Sequence, residues 1–290
     1  MARSIYRSDE GRAAVRHWCE ERLADAAIDA RNVDTTAGPT STATAGAGHD
    51  VVLLPGTNFA TATWPSLVDD LAATGRVIAV DLPGQPGLSS EERPDREAYG
   101  PWLREVIAAR ELVRPVVVGH SLGGLVALLG AAGSDAVGGI VLVDTAGLIL
   151  LRVTPAILGA SLRWLRRKDE PASRELLARM SGHSVTPPDH LAGWMVLVAR
   201  HVRSSLAPRP LPTATLATIR CPVRVVTGTD DAFLPARKVG AAAGAIAGPT
   251  TATEVPNAGH LLPFERPDVV VDAVRDTIRL VRTSSPGVGH

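Results

Sequence analysis

The sequence contains little cysteine and little lysine. Its 290 residues include two cysteines, Cys19 and Cys221, so a disulfide framework is not implied. No Cys-x-x-Cys pair and no cluster of histidine and cysteine has the spacing of a metal site, and we therefore expect no metal. Only Lys168 and Lys238 are lysines, so arginine supplies nearly all of the positive charge.

Long hydrophobic runs and a net charge are also lacking. No run of about 18 apolar residues occurs, and the first residues have no apolar signal region. Thirty basic residues balance 30 acidic ones, which argues against nucleic acid or an anionic membrane as the main partner. We expect a cytoplasmic protein with a small-molecule substrate and no membrane partner, and the sequence leaves a homodimer open.

The overall amino-acid composition is typical of a globular protein with a sizeable core. Hydrophobic residues make up 45% of the chain and charged residues 21%. The length suits one large α/β domain with an insertion, or two small domains.

One stretch carries a specific chemical signal. The β-branched run 116–118 leads into Gly119-His120-Ser121-Leu122-Gly123, and an apolar helical stretch follows. A serine at the tip of so tight a turn needs small residues two positions before and after it, so that strand and helix can approach. The helix N-terminus then points N–H groups at the same place. The pattern predicts a nucleophile, although an ordinary strand–helix turn can contain the same five residues.

Apolar runs recur along the chain and alternate with helical patterns. Such an alternation is typical of a parallel sheet covered on both faces, with ligands beyond the carboxyl ends of the strands. The predicted strands are 50–54, 77–80, 116–118, 140–144, 223–227 and 251–255.

The alternation fails at two places, which suggests domain boundaries. Residues 148–218 contain helical stretches separated by prolines, and we interpret them as a helical cap inserted between core segments 50–147 and 219–290. Residues 1–49 form an N-terminal extension with a helix over 5–30. Its segment 34–49 is rich in Thr, Ala, Gly and Ser, and predicts a partly disordered loop or a weak exposed hairpin.

A serine hydroxyl needs a base within hydrogen-bond reach, and that base needs an acid to orient it. In sheets of this kind the chain order is serine, acid, histidine. The sequence offers Ser121, then Asp230 or Asp231 after a strand, then His260 after another. Asp144, at the end of the predicted strand 140–144, is a further candidate acid.

Four motifs together resemble the α/β-hydrolases over roughly residues 50–280. They are Leu-Leu-Pro-Gly at 53–56, Gly-His-Ser-Leu-Gly at 119–123, Gly-Thr-Asp-Asp with a proline at 228–235, and Asn-Ala-Gly-His with Glu-Arg-Pro at 257–267. The resemblance implies an α/β-hydrolase fold, with a mostly parallel central sheet, helices on both faces and a helical cap. The N-terminal helix and the segment 54–59 look most similar to small bacterial carboxylesterases.

The resemblance also implies roles for individual residues. Ser121 would be the nucleophile, His260 the general base and Asp231 the acid, with Asp230 and Asp144 as alternatives. The backbone N–H groups of Thr57 and Leu122 would form the oxyanion hole, and no metal or organic cofactor would be required.

Two departures from the family pattern concern loops near the predicted site. The chain has Pro55-Gly56 where the family usually has His-Gly, and the loop after Asp81 is one residue longer than usual. A proline at position 55 does not remove the backbone donor that follows it.

Five apolar side chains are candidates for the substrate pocket, with core packing as the alternative for each. They are Phe59, Trp64, Trp164, Trp194 and Leu261.

Two functions compete at this point. The first is a serine hydrolase that cleaves a carboxylic ester, a thioester or a lactone of a small to medium apolar substrate through an acyl-enzyme. The second is a protein with the same fold that does not hydrolyse, such as a cyclase or a ligand-binding protein, because fold alone does not determine function. The intact serine, aspartate and histidine favour the first.

Overall fold

The structure is a computed structural model that describes residues 4–26, 28–183, 185–205 and 207–284. Within these ranges eight strands form one sheet. The strands are β1 Asp29–Thr35, β2 Gly38–Ala45, β3 Asp50–Leu54, β4 Arg76–Val80, β5 Val116–His120, β6 Gly139–Val143, β7 Val223–Gly228 and β8 Thr250–Val255.

The same ranges contain helices before, between and after the strands. They are α1 Asp9–Asp25, α2 Pro65–Ala72, α3 Tyr99–Ala109, α4 Leu122–Ala131, α5 Pro155–Arg167, α6 Glu170–Met180, α7 Asp189–His201, α8 Thr213–Leu216, α9 Ala236–Ala243, α10 Leu262–Glu265 and α11 Pro267–Ser284. In the described part of the chain, none of them is both long enough and apolar enough to cross a membrane.

The sheet order is β1-β2-β4-β3-β5-β6-β7-β8. Strands β3 to β8 pair in parallel, whereas β1 and β2 pair antiparallel to each other and β2 pairs antiparallel to β4. The predicted mostly parallel sheet is therefore confirmed, and each of the six predicted strands is present within two residues of its expected bounds.

Helices cover both faces of the sheet, which explains why its central strands are continuous apolar runs. On β5, Val116 and Val118 belong to the core shared with α1, α2, α11 and helices α5 to α7, while Val117 belongs to the core shared with α3, α4 and α9. All three valines are almost fully buried. Successive side chains of one strand thus fill two different cores.

For residues 34–49 the sequence predicts a partly disordered loop or a weak exposed hairpin. The hairpin alternative is present as β1–β2, which extends the sheet beyond β4, but the middle of β2 is buried rather than exposed. Thr40 is fully buried, and its hydroxyl accepts a hydrogen bond from the indole of Trp102 at 2.9 Å. The Ser41 N–H donates to Ser89 Oγ at 2.9 Å. Small polar residues can be buried here because neighbouring side chains form hydrogen bonds with their polar groups. The composition of the segment does not show that such partners exist.

Helix α1 is shorter than the predicted span 5–30. It starts after Ser8, whose hydroxyl accepts the Gly11 N–H at 3.1 Å, and it ends at Asp25 because β1 begins four residues later. Helix α1 packs on α7, and α6 packs on both α5 and α7. The residues that follow β6 thus form a helical layer of α5, α6 and α7.

Candidate active site

Ser121 lies in the sharp turn between β5 and α4. Its backbone has φ +49° and ψ −111°, a conformation that side chains other than glycine rarely adopt. A Cβ on Gly119 would overlap the backbone of Gly123, and a Cβ on Gly123 would overlap the carbonyl of Leu54. The two glycines therefore let the strand and the helix approach closely enough to hold Ser121 at the tip.

Ser121, His260 and Asp231 form one chain of hydrogen bonds. Ser121 Oγ lies 3.2 Å from His260 Nε2, and His260 Nδ1 lies 2.8 Å from Asp231 Oδ2. The side chains of His260 and Asp231 are 6% and 0% exposed. Because the carboxylate can only accept, His260 carries its proton on Nδ1, and Nε2 is free to accept the serine proton. The arrangement can thus activate a hydroxyl nucleophile.

The turn after β7 separates the two neighbouring aspartates. Asp231 Oδ1 accepts the N–H groups of Phe233 at 2.7 Å and Leu234 at 3.0 Å, which directs Oδ2 toward His260. Asp230 instead bonds to the exposed ring of His183 at 2.9 Å, and that bond lowers the pKa of Asp230. Of the two carboxylates, Asp231 is the one that meets His260.

Asp144, the third candidate acid, lies directly after β6 and is fully buried. Its Oδ1 accepts the Gly228 N–H at 2.9 Å, whereas its Oδ2 has no hydrogen-bond partner among the described residues. Burial, together with the charge of Asp231, holds the pKa of Asp144 well above its usual range. Asp144 holds the end of β7 through its bond to Gly228, and its raised pKa favours the neutral form beside His260.

The ring of His120 is buried beside the ring of His260, with 5.1 Å between their centroids. His120 Nε2 donates to the carbonyl oxygen of His260 at 2.8 Å, while Nδ1 has no partner among the described residues. Burial and the charge of His260 lower the pKa of His120 to about 3. His120 is therefore a neutral support for His260.

One grouping in the described ranges has the composition of a metal site. His120, Asp144 and His260 each place a ligand atom within 4.8 Å of the others. However, both ring nitrogens of His260 already bond to Ser121 and Asp231, and Nε2 of His120 bonds to a carbonyl. These donors fit the hydrogen-bond chain better than they fit a metal ion.

The buried His120 should make stability depend on pH. Unfolding raises its pKa from about 3 toward about 6.5, so the unfolded state binds the extra proton and the folded state loses stability as the pH falls below about 6.5. We expect His120 to steepen the loss of unfolding free energy by about 1.4 kcal/mol per pH unit between about pH 6 and about pH 4. Urea denaturation of the wild type and of His120→Gln measures this. Equal slopes for the two proteins would show that His120 is not held neutral.

The loop that carries Thr57 lies opposite the serine turn and lines the same cavity as Ser121. Asn58 N–H donates to Gln85 Oε1 at 3.0 Å, and Thr61 N–H donates to Asp81 Oδ1 at 2.7 Å. The other oxygen of Asp81 accepts the Leu88 N–H at 2.8 Å. The sequence patterns predict no role for Asp81 or Gln85, although an aspartate directly after the predicted strand 77–80 is a usable signal.

Leu122, the second predicted oxyanion donor, is the first residue of α4 and directly follows Ser121. Its side chain packs in the core of the α3 and α4 face, so only its backbone is near the serine. Leu122 thus directly follows Ser121 and Thr57 lines the same cavity, and their role in an oxyanion hole stays a prediction.

A mostly apolar cavity of about 360 Å³ opens above Ser121 and His260. That volume lies in the range of about 300–1,000 Å³ that is typical of small-molecule sites. Its lining residues from segment 148–218 are Leu151, Val153, Ile157, Leu158, Ser161, Trp164, Leu165, Leu176, Met180, Met195, Ser204, Ser205, Ala207 and Pro208.

Of the five predicted pocket residues, Phe59 and Trp164 lie in the cavity wall. The other three do not line it. Trp64 packs edge-on against His120 at 5.4 Å between ring centroids, Trp194 donates to the Asn58 carbonyl at 2.7 Å, and Leu261 is buried in the core. These three side chains pack behind the residues that line the cavity. Apolar periodicity in the sequence does not distinguish a residue that lines a cavity from one that packs behind it.

Comparison with known proteins agrees with this geometry. The chain belongs to the alpha/beta hydrolase family, whose profile matches residues 51–273. It is also 28% identical over 279 residues to an uncharacterized protein of Mycobacterium tuberculosis, which covers 83% of this chain and 78% of the relative.

Solved structures share the fold. Naproxen esterase (carboxylesterase NP) from Bacillus subtilis aligns with a TM-score of 0.79 and 21% identity, over 93% of this chain and 99% of that one. A thermophilic esterase from Thermogutta terrifontis aligns with a TM-score of 0.64 and 26% identity, over 87% of this chain and 99% of that one.

Proposed function

We propose that the protein is a serine hydrolase that cleaves carboxylic esters of small to medium apolar substrates through a Ser-His-Asp triad. The observation that carries the proposal is the hydrogen-bond chain from Ser121 through His260 to Asp231 at the base of an apolar cavity. The family membership and the similarity to the Thermogutta terrifontis esterase support an ester as the substrate.

The hydrogen bonds among the three side chains indicate the steps by which the acyl-enzyme would form. Ser121 Oγ attacks the ester carbonyl carbon while His260 Nε2 takes its proton, and Asp231 stabilises the imidazolium that forms. The tetrahedral oxyanion accepts hydrogen bonds from the backbone N–H groups of Thr57 and Leu122. His260 then returns the proton to the leaving alkoxide, which departs as the alcohol and leaves an acyl group on Ser121.

Deacylation repeats these steps with water. His260 takes a proton from water, the resulting hydroxide attacks the acyl carbon, and the acid leaves as Ser121 regains its proton. A thioester would react through the same groups with a thiolate as the leaving group. A lactone would do so with an alkoxide that takes the proton from His260 and stays attached to the acyl chain.

A series of p-nitrophenyl esters from acetate to longer acids tests the proposed substrate class. Release of p-nitrophenol by the wild type, with kcat/KM rising as the acyl chain fills the apolar cavity and then falling, is the expected result. No turnover of any ester in the series, by protein that is folded, would favour the non-hydrolytic alternative.

A single substitution should change the length of the acyl chain that the cavity accepts. Ser161 lies on α5, lines the cavity and is only partly buried, so a larger side chain can be added there without disrupting the core. In Ser161→Phe we expect kcat/KM for esters of longer acids to fall about 10- to 100-fold, because the ring takes the place of several methylenes, with little change for acetate. Ser161→Ala is the control and should keep the wild-type profile. An equal loss for acetate and for longer esters would place the acyl group elsewhere.

A further inference from the structure

The exposed apolar side chains of this protein are concentrated at the mouth of the cavity. Seven large hydrophobic residues of the described ranges are exposed, and five of them lie between residues 150 and 165. These five are Leu150 at 68%, Val153 at 58%, Leu158 at 49%, Leu162 at 51% and Leu165 at 38% exposure, and we call them the leucine face.

Helical spacing explains why part of α5 is left uncovered. Leu158, Leu162 and Leu165 follow one another at i, i+4 and i+7, so they lie along one side of the helix. The buried residues of α5, which include Ile157 and Trp164, point into the protein instead. An apolar stripe of this length in contact with water is typical of an interaction surface.

The leucine face is continuous with the candidate active site. Val153, Leu158 and Leu165 line the cavity above Ser121 and are also exposed to solvent. Whatever binds the leucine face therefore lies at the entrance of the cavity. A substrate that reaches Ser121 from an apolar partner bound there would pass directly into the apolar cavity without crossing water.

The charge of the residues around the leucine face indicates what kind of surface would bind there. Residues 148–218 contain ten arginines and lysines but four acidic residues, a net formal charge of +6 in a chain whose total is zero. Several cap arginines are paired, including Arg163 with Glu175. Arg152 and Arg166 are exposed and have no carboxylate within ion-pair distance among the described residues. The zero net charge of the chain had predicted no anionic partner, but the local distribution favours one at this face.

We infer that the leucine face and the neighbouring arginines dock the protein onto an anionic lipid surface, with the cavity mouth against the lipid. The leucines would insert among the acyl chains while Arg152 and Arg166 contact the headgroups. The inference rests on the proposed function and deepens it, because it makes the substrate an ester that is presented in a lipid aggregate.

Vesicle co-sedimentation tests the docking without relying on hydrolysis. We expect the wild type to sediment with vesicles of phosphatidylcholine mixed with phosphatidylglycerol, less with pure phosphatidylcholine, and less as salt is added. The double variant Leu150→Ser/Leu162→Ser should bind about 100-fold more weakly, because each of the two leucines contributes about a tenfold factor when it leaves water. Its unfolding midpoint should stay close to that of the wild type, since both side chains are exposed.

Two controls separate the outcomes. Val113→Ser removes a residue that is 78% exposed in the turn before β5, at the amino end of that strand and so away from the cavity at its carboxyl end, and should leave vesicle binding unchanged. Ser121→Ala should also bind vesicles like the wild type, so that docking can hold even where the proposed chemistry fails. Absence of wild-type binding, or an equal loss in Val113→Ser, would overturn the inference. So would a dimer in size-exclusion chromatography that does not bind vesicles and that the leucine variant dissociates, because a second copy would then cover this face.

Discussion

Replacing Ser121 with alanine is expected to lower kcat for ester hydrolysis by about 10⁴- to 10⁶-fold. The hydroxyl is the one nucleophile within hydrogen-bond reach of His260 Nε2 among the described residues, at 3.2 Å. Without it the proposed acyl-enzyme cannot form, and only the cavity and the proposed oxyanion donors remain to assist water. Steady-state kinetics with a p-nitrophenyl ester measure the loss.

The control for this result is a second serine of the same cavity. Ser205 lines the cavity but bonds to neither His260 nor Asp231. Ser205→Ala should keep kcat within a few-fold of the wild type. If Ser121→Ala keeps more than about a tenth of the wild-type kcat, water or another group is the nucleophile, and the triad is not the catalytic device.

Replacing Asp231 with asparagine is expected to lower kcat by about 10⁴-fold without unfolding the protein. Oδ1 of Asp231 accepts two backbone N–H groups, from Phe233 and Leu234, so the amide oxygen of asparagine would take that place. Its NH₂ group would then face His260 Nδ1 and donate to it. The histidine would be held in the opposite tautomer, with the proton on Nε2, and could not accept one from Ser121.

Asp230 and Asp144, the alternative acids predicted from the sequence, provide the matched control variants. Asp230→Asn changes a carboxylate that bonds to the exposed His183, and should alter kcat by no more than a few-fold. Asp144→Asn keeps an oxygen for the Gly228 N–H and replaces a carboxyl group whose raised pKa favours the neutral form, so its effect on kcat should be similarly small. A larger loss in Asp144→Asn than in Asp231→Asn would make the residue after β6 the true acid.

The sequence was most informative where local rules determine structure. The glycines around Ser121 are required by the close approach of β5 and α4, and any chain with this turn must satisfy that requirement. The apolar runs similarly predict strands that are buried on both faces. For this reason the fold, the order of its parallel strands along the chain and the position of the serine turn could all be predicted.

Features that depend on distant partners could not be predicted. Thr40 is buried in a strand because Trp102, 62 residues away, satisfies its hydroxyl. The residues alone leave the choice between Asp230 and Asp231 open, and only the family resemblance favours Asp231. In the structure the N–H groups of Phe233 and Leu234 hold one oxygen of Asp231, and its other oxygen meets His260. Trp164 and Trp194 both lie on apolar helix faces, but only Trp164 reaches the cavity. Periodicity identifies a buried face without saying whether a core or a cavity lies next to it.

The most direct test of the proposed triad is covalent labelling with a fluorophosphonate followed by mass spectrometry. Ser121 Oγ would attack phosphorus, fluoride would leave, and His260 would take the serine proton. One adduct per chain on Ser121, absent in Ser121→Ala and formed far more slowly in Asp231→Asn, is the predicted result. An adduct on another residue, or an unlabelled protein that still hydrolyses esters, would contradict the account.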